Sequence, residues 1–238
     1  MAAETMLILG ESGMGKSTSL RNLNPKETFI ISTTSKPLPW RGWKKQYTEF
    51  NPKTGTGNRV QMYNSNKLAQ LLKFISVKMP HIKNIVCDDL QYTMGFEFMD
   101  RRGEKGYEKF NSIGGDFTDL LRTADTLRDD IHLIFTAHSE NTGDAINPHW
   151  TLKTIGKMVN EKITPEGMFT YVFYALAEEG DDGMDYVFLT NTDGEHVAKT
   201  PLGMFADKKI PNDVAKIINI IDAYNNDDVI NSNDESNK

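Results

Sequence analysis

Cysteine is nearly absent: Cys87 stands alone among 238 residues. That excludes a disulfide scaffold and a cysteine-built structural zinc centre. No apolar run approaches the ~18 residues of a membrane span, so an integral membrane protein is not expected. The opening stretch also lacks a secretory leader's positive charge, with Glu4 in its place and Gly10 ending the apolar run. A cytoplasmic location is the expectation. Positive charge is in deficit, 27 Lys and Arg against 33 Asp and Glu, for a net charge of -6. This argues against a strongly basic nucleic-acid coat and leaves room for a local basic patch. What is present is ordinary, 38% hydrophobic and 10% aromatic residues, enough to bury the core of one large domain.

Residues 1–225 carry no fixed-period repeat and no internal linker, so one domain is expected there. The polar run after Tyr224 makes 226–238 an expected disordered tail. Within the body, short apolar runs alternate with helical patterns. Met6-Leu7-Ile8-Leu9, Thr28 to Ser32, Ile82 to Asp88, Ile131 to Ala137 and Met168 to Ala177 read as strands. Leu68, Leu71, Leu72 and Ile75 recur at helical spacing after Asn66, a candidate cap, and Pro80 follows. Phe117, Leu120, Leu121, Ala124 and Leu127 form a second stripe. Strands apolar throughout and separated by helices predict an α/β fold with a mostly parallel central sheet flanked by helices. Two hairpins are expected besides. One is an insertion with arms 47–50 and 60–63; the other lies at the sheet edge, with arms 168–177 and 184–190. Pro211 precedes a last helix bearing Val214, Ile217, Ile218 and Ile221.

The most informative residues are Gly10-Glu11-Ser12-Gly13-Met14-Gly15-Lys16-Ser17, the pattern G-x-x-x-x-G-K-S between a strand and a helical start. Glycines let the backbone wrap a phosphate with its N–H groups inward, and a following helix adds its positive end. Gly10 to Ser17 together with Thr18 are the expected nucleotide-binding residues. Lys16 reaches the outer phosphates, and the Ser17 hydroxyl is a natural ligand for Mg2+. A chain of this length would show the bare pattern by chance roughly once in a hundred. The strand context lowers that further.

A second motif, Asn84-Ile85-Val86-Cys87-Asp88-Asp89, is an apolar strand ending in two carboxylates. A hard cation opposite the phosphates needs such a carboxylate, and Asp88 is the candidate. Asp89 either orients the attacking water or caps a helix over 90–99. Cys87 reads as a small core residue. The run Ile131-His132-Leu133-Ile134-Phe135-Thr136-Ala137 leads into His138-Ser139-Glu140. His138 either donates to a phosphate oxygen or closes a loop, with Thr136 as the fallback.

GESGMGKS, IVCDD and LIFTAHSE, in this order, resemble phage-encoded RecA-like P-loop ATPases over about residues 4–205. These are the "AAA family ATPase" or phage nucleotide-binding proteins, including those found beside single-strand annealing proteins. The resemblance implies a RecA-type core, ATP with Mg2+, and a role in phage DNA replication or recombination. Such proteins often place a catalytic glutamate just after the second strand, whereas this chain reads Ile31-Ser32-Thr33-Thr34-Ser35-Lys36. Asp89 or Glu140 then activates the water, or hydrolysis is slow. Family members also complete the site with a basic residue from a neighbouring subunit, and Lys199 occupies a suitable position in a homo-oligomer with nucleotide at the interface. A solvated lysine is the plainer reading.

The expected catalytic set is therefore Lys16, Asp89, His138 and Glu140, with Ser17 and Asp88 on the metal. Expected partners are ATP and single-stranded DNA or a recombination or replication protein. A nucleotide-gated scaffold and a P-loop kinase are the alternatives. The most basic window, Lys36 to Tyr47, interleaves Trp40 and Trp43 with four cations. It suits single-stranded nucleic acid, adenine or partner contact, or plain packing. Arg101, Arg102, Lys105 and Lys109 on 90–110, and Trp150, Lys153, Lys157 and Lys162 on 139–162, are further candidates for a DNA face.

Overall fold

The computed structural model describes residues 2–155, 159, 162–180 and 183–226. The expected tail from 227 onward, Lys157 and the tip of the expected edge hairpin lie outside the described residues. The strands are β1 (Glu4–Gly10), β2 (Thr28–Ser32), β3 (Arg59–Gln61), β4 (Asn84–Asp88), β5 (His132–Asn141), β6 (Trp150–Leu152), β7 (Tyr171–Gly180), β8 (Gly183–Leu189) and β9 (Lys209–Pro211). The helices are α1 (Trp43–Gln46), α2 (Ser65–Lys78), α3 (Gln91–Asp100), α4 (Glu108–Arg122) and α5 (Val214–Asn225). The sheet runs β3-β2-β4-β5-β1-β7-β8-β9, with β6 paired to β5. From β3 to β7 every neighbour on this path is parallel, and β8 and β9 add an antiparallel margin. This is the expected α/β fold with a mostly parallel sheet. β5 lies between the phosphate-loop strand and the acidic strand, the order of a RecA-like core.

Strand side chains alternate between faces, and here both faces are dry. Leu7, Leu9, Ile85, Cys87, Leu133 and Phe135 join one cluster, under α2 and α4. Met6, Ile8, Val86, Ile134 and Phe173 join the other, under α5. On α2, Leu68, Leu72 and Ile75 are buried, and on α5 Val214, Ile217 and Ile221 are. Each such side chain contributes roughly 1.5–3 kcal/mol on full burial. Asp213 caps α5 by accepting from the Ala215 N–H. Asn64, and not Asn66, caps α2, accepting from the Lys67 N–H. Among the described residues, no helix is long and apolar enough to cross a membrane.

Three expectations are revised. After the phosphate loop the chain makes a five-residue 3-10 turn, Thr18–Asn22. Asn24-Pro25 follows at once, and a proline ends a helix there. The insertion at 47–63 is not a hairpin ladder. Asn51 and Thr56 form an isolated antiparallel bridge, while Arg59–Gln61 joins the sheet parallel to β2. The fourth strand does not stop at Ala137 but continues to Asn141, because β6 pairs antiparallel with Ser139 to Asn141. The edge hairpin forms as expected, with β7 and β8 paired from Tyr174–Leu189 to Gly180–Gly183.

Candidate nucleotide-binding site

Sheet register gathers the motif residues at one edge. Gly10 stands opposite His138 and Ile8 opposite Thr136. Ser32 stands opposite Asp88, and Cys87 opposite Phe135. The carboxyl ends of β1, β2 and β4 and the middle of β5 therefore share one level, where open α/β sheets bind ligands. A cavity of about 610 Å³ opens there. Its lining includes Ser12, Gly13, Gly15, Lys16, Ser17 and Thr18 from the loop, with Asp88, Asp89 and His138 across from them.

The loop's shape comes from its glycines. Gly13 and Gly15 have φ of +87° and +81°, values that side chains other than glycine adopt only with strain. A Cβ on Gly10 would come within 2.9 Å of the Ala175 carbonyl oxygen. Lys16 lies folded into the loop, its Nζ donating to the carbonyls of Gly10 at 2.8 Å and Glu11 at 2.7 Å. Burial pulls its pKa down to about 8, against the raising influence of Asp89 and Asp88. Gly10, Glu11 and Met14 do not line the cavity. The first two supply the carbonyls that hold Lys16, and Met14 packs against the α5-side core.

Asp88 Oδ1 accepts from the Ser17 hydroxyl at 2.8 Å and from the Thr136 hydroxyl at 2.6 Å. Its pKa is raised, first by burial and then by neighbouring Asp89. A desolvated carboxylate beside a hydroxyl, with another acid next to it, is a hard-cation environment, so Mg2+ fits this donor set. Among the described residues, no group of three or more His, Cys, Asp or Glu side chains could hold a metal unaided. A metal here would draw the rest of its oxygens from phosphate and water.

Asp89 has φ +66°, a left-handed conformation costing roughly 1–2 kcal/mol. Its N–H donates to the Thr136 hydroxyl at 2.9 Å, and the Thr33 hydroxyl donates to its carbonyl at 2.9 Å. This twist aims the carboxylate into the cavity, with Lys36 Nζ 3.5 Å from Oδ2 and His138 Nε2 3.6 Å from Oδ1. Asp89 does not cap a helix by its side chain: α3 has Leu90 at its N-cap, without a side-chain cap bond. His138 is held below its usual pKa, chiefly by burial and next by Lys16. It is therefore neutral at pH 7 and has one ring N–H to give. Thr136 is fully buried and committed to Asp88 and Asp89, so it positions those residues and does not face the cavity. Cys87 is buried, with its thiol pushed well above the usual range, as a core residue would be.

Glu140 is not brought to the site. β5 continues past His138, and the Glu140 carboxylate accepts the Thr154 N–H at 3.0 Å. Lys199 pairs its backbone with Val172, at the sheet level of Leu7, and is absent from the cavity lining. Conversely, Arg21, Lys36, Tyr186 and Asn212 line the cavity unannounced by any motif. Lys36 had a signal, being the first cation of the basic window that follows the second strand. Arg21 comes from the turn directly after the loop, and Tyr186 and Asn212 from the distant β8–β9 margin.

In the basic window the indoles are engaged in packing. Trp40 donates to Gln46 Oε1 at 2.8 Å and meets Tyr47 edge-on. Arg59 lies over the Trp43 ring at 4.8 Å. On 90–110, Arg101 is tied to Glu97 and Glu104, and Lys109 is buried over Phe98.

Strand order, phosphate loop and the acidic strand end together define a nucleotide-binding domain of the P-loop ATPase type. A family model described as an AAA domain matches residues 2–202, and the chain belongs to that family. No curated protein matches it. Among solved structures it is similar to the flagellar accessory protein FlaH from Methanocaldococcus jannaschii. The two are 10% identical, with 88% of this chain and 84% of that chain covered and a TM-score of 0.47.

Proposed function

We propose that the chain binds ATP with Mg2+ and hydrolyses it by in-line attack of water on the γ-phosphate. The observation that carries this reading is the Ser17–Asp88 hydrogen bond across the cavity floor, beside the Lys16 ammonium. It joins the phosphate loop to the acidic strand where a metal and the outer phosphates would meet. Bound there by Ser17 and Asp88, the metal would neutralise charge across the β- and γ-phosphates. Lys16 exchanges its two loop carbonyls for phosphate oxygens, and backbone amides of the loop cradle the rest. With only a short turn after the loop, these amides and Lys16 supply more of the binding than a helix dipole does. Asp89 aligns the water and takes its proton, and neutral His138 donates to the γ-phosphate.

Hydrolysis by Lys16→Ala falls to background, whereas Asp89→Asn keeps ATP affinity and slows turnover at least a hundredfold. Glu140→Gln turns over like the unaltered protein. A steady-state phosphate-release assay with a filter-binding measurement of ATP reads all three. Normal turnover by Lys16→Ala overturns the assignment, and loss confined to Glu140→Gln moves the base to that residue.

The finer reading is a phage protein that couples this turnover to single-stranded DNA in replication or recombination, as a single RecA-like domain over 1–225 that self-associates. It rests on the resemblance of the three motifs. Exposed Arg41, Lys44 and Lys45, on the segment that starts at cavity-lining Lys36, support it. Its test is the ATPase rate with and without single-stranded DNA, alongside mass with and without ATP. A rate that DNA leaves unchanged overturns the DNA coupling, and ATP binding without multi-turnover hydrolysis favours a nucleotide-gated non-catalytic scaffold instead.

A further inference from the structure

The site is polar in a directional sense. Lys16, Ser17 and Asp88 mark the outer-phosphate end, and the chain then runs through Thr18 toward Arg21. On that side the cavity wall is Tyr186 of β8 with Pro211 and Asn212. A nucleotide whose outer phosphates lie at Lys16 therefore has its nucleoside against these residues.

Asn212 is 5% exposed, and its Nδ2 has no hydrogen-bond partner. Its carboxamide lies over the phosphate loop: a Cβ on Gly15 would sit 3.3 Å from Nδ2 and 3.4 Å from Oδ1. The same Cβ would meet the Tyr186 ring at 3.0 Å, so Gly15 is what lets these two side chains approach the loop. The backbone at Asn212 is fixed, in contrast. Its N–H donates to the Tyr186 carbonyl at 3.2 Å, and its carbonyl accepts from Arg21 at 3.0 Å. Arg21 also binds the Thr18 carbonyl at 3.1 Å, and Asn22 donates to Asp213 at 2.7 Å. A side-chain amide carried on so firmly held a backbone, buried beside the loop with its own donor unused, has the character of a ligand group awaiting its acceptor.

A carboxamide offers a donor and an acceptor side by side. Adenine answers with N7 as acceptor and the N6 amino group as donor, whereas guanine presents acceptors at both N7 and O6. We propose that Asn212 reads the nucleobase and makes this an adenine-selective site, with Tyr186 and Pro211 as the apolar wall beside the ring. This rests on the nucleotide-binding reading above and adds which base is taken and by which residue.

The test is calorimetric titration of the full chain, with Mg2+, against ATP, GTP and inorganic tripolyphosphate. The unaltered protein is expected to bind ATP at least tenfold more tightly than GTP. Asn212→Ala then loses about tenfold in ATP affinity, its ATP-to-GTP ratio falls toward one, and its tripolyphosphate affinity is unchanged. Unchanged tripolyphosphate binding also certifies that the variant is folded. Where Asn212→Ala does not fold, Asn212→Asp keeps the shape, cannot donate to N7 and gives the same loss of preference. Equal binding of ATP and GTP by the unaltered protein, or a ratio that survives both substitutions, overturns the base assignment alone. Failure of the unaltered protein to bind any of the three overturns the nucleotide reading, and the base assignment with it.

Discussion

Lys16 offers the sharpest test, because its proton is a reporter for whatever enters the loop. Burial lowers its pKa from the ordinary 10.5 to about 8, and the carboxylates of Asp89 and Asp88 pull the other way without cancelling it. A triphosphate beside the amine favours the charged form and lifts the pKa back, so ATP binding above pH 8 takes up a proton. From a free-protein value of about 8, the amine is about 10% deprotonated at pH 7 and about 75% at pH 8.5. Uptake is thus about 0.1 proton per ATP at pH 7 and about 0.75 at pH 8.5. Calorimetric titration of Mg-ATP in two buffers of different ionisation enthalpy reads this number directly. Uptake that is equal at the two pH values, or near zero at pH 8.5, refutes the argument. Lys16→Arg is the control, since its guanidinium stays charged and any remaining binding takes up no proton. The free protein shows the same linkage with its own sign. The folded value lies below the unfolded one, so between pH 8 and 10.5 the unfolded chain binds more protons. Stability therefore rises with pH across that window. Below pH 8 the protein carries the whole cost, on the order of 3 kcal/mol at about 1.4 kcal/mol per pH unit.

Two further substitutions probe the groups around the carboxylates. Thr136→Val strands the buried Asp89 N–H and takes a hydrogen bond from Asp88, which costs about 2–4 kcal/mol in urea unfolding; a loss under ~0.5 kcal/mol contradicts the network. Lys36→Met removes a half-exposed ion pair, so unfolding shifts by less than ~1 kcal/mol. Turnover nevertheless falls at least tenfold with ATP affinity nearly unchanged, and an unaltered kcat places Lys36 outside the chemistry.

The sequence made the floor of the cavity legible because each part of it is local. Gly10 to Ser17 spell a loop, and Asp88 and His138 each close an apolar run, so spacing alone placed them. The parallel sheet then had to bring those ends to one level, and the Gly10–His138 and Ser32–Asp88 registers do so. What stayed hidden depends on pairing between distant segments. Tyr186 and Asn212 reach the loop through the β8–β9 margin, and the Arg21–Asn212 hydrogen bond spans 191 positions. Glu140 misled for the opposite reason: β6 prolongs β5, and a residue expected in the turn after the strand lies within it instead.

The corner after β2 gives the last step. Where the resemblance implies a glutamate, Lys36 stands at the cavity with its ammonium toward Asp89. On the proposed mechanism the carboxylate that aligns water comes from the β4 corner, which also presents Asp88. Two successive residues of an extended strand point to opposite faces, so Asp88 and Asp89 can both serve one cavity only if the backbone turns between them. The φ of +66° at Asp89 makes that turn, and Thr33 and Thr136 hold it there from either side. With Lys36 in the segment after β2, it is the β4 corner that brings two carboxylates, Asp88 and Asp89, to the cavity.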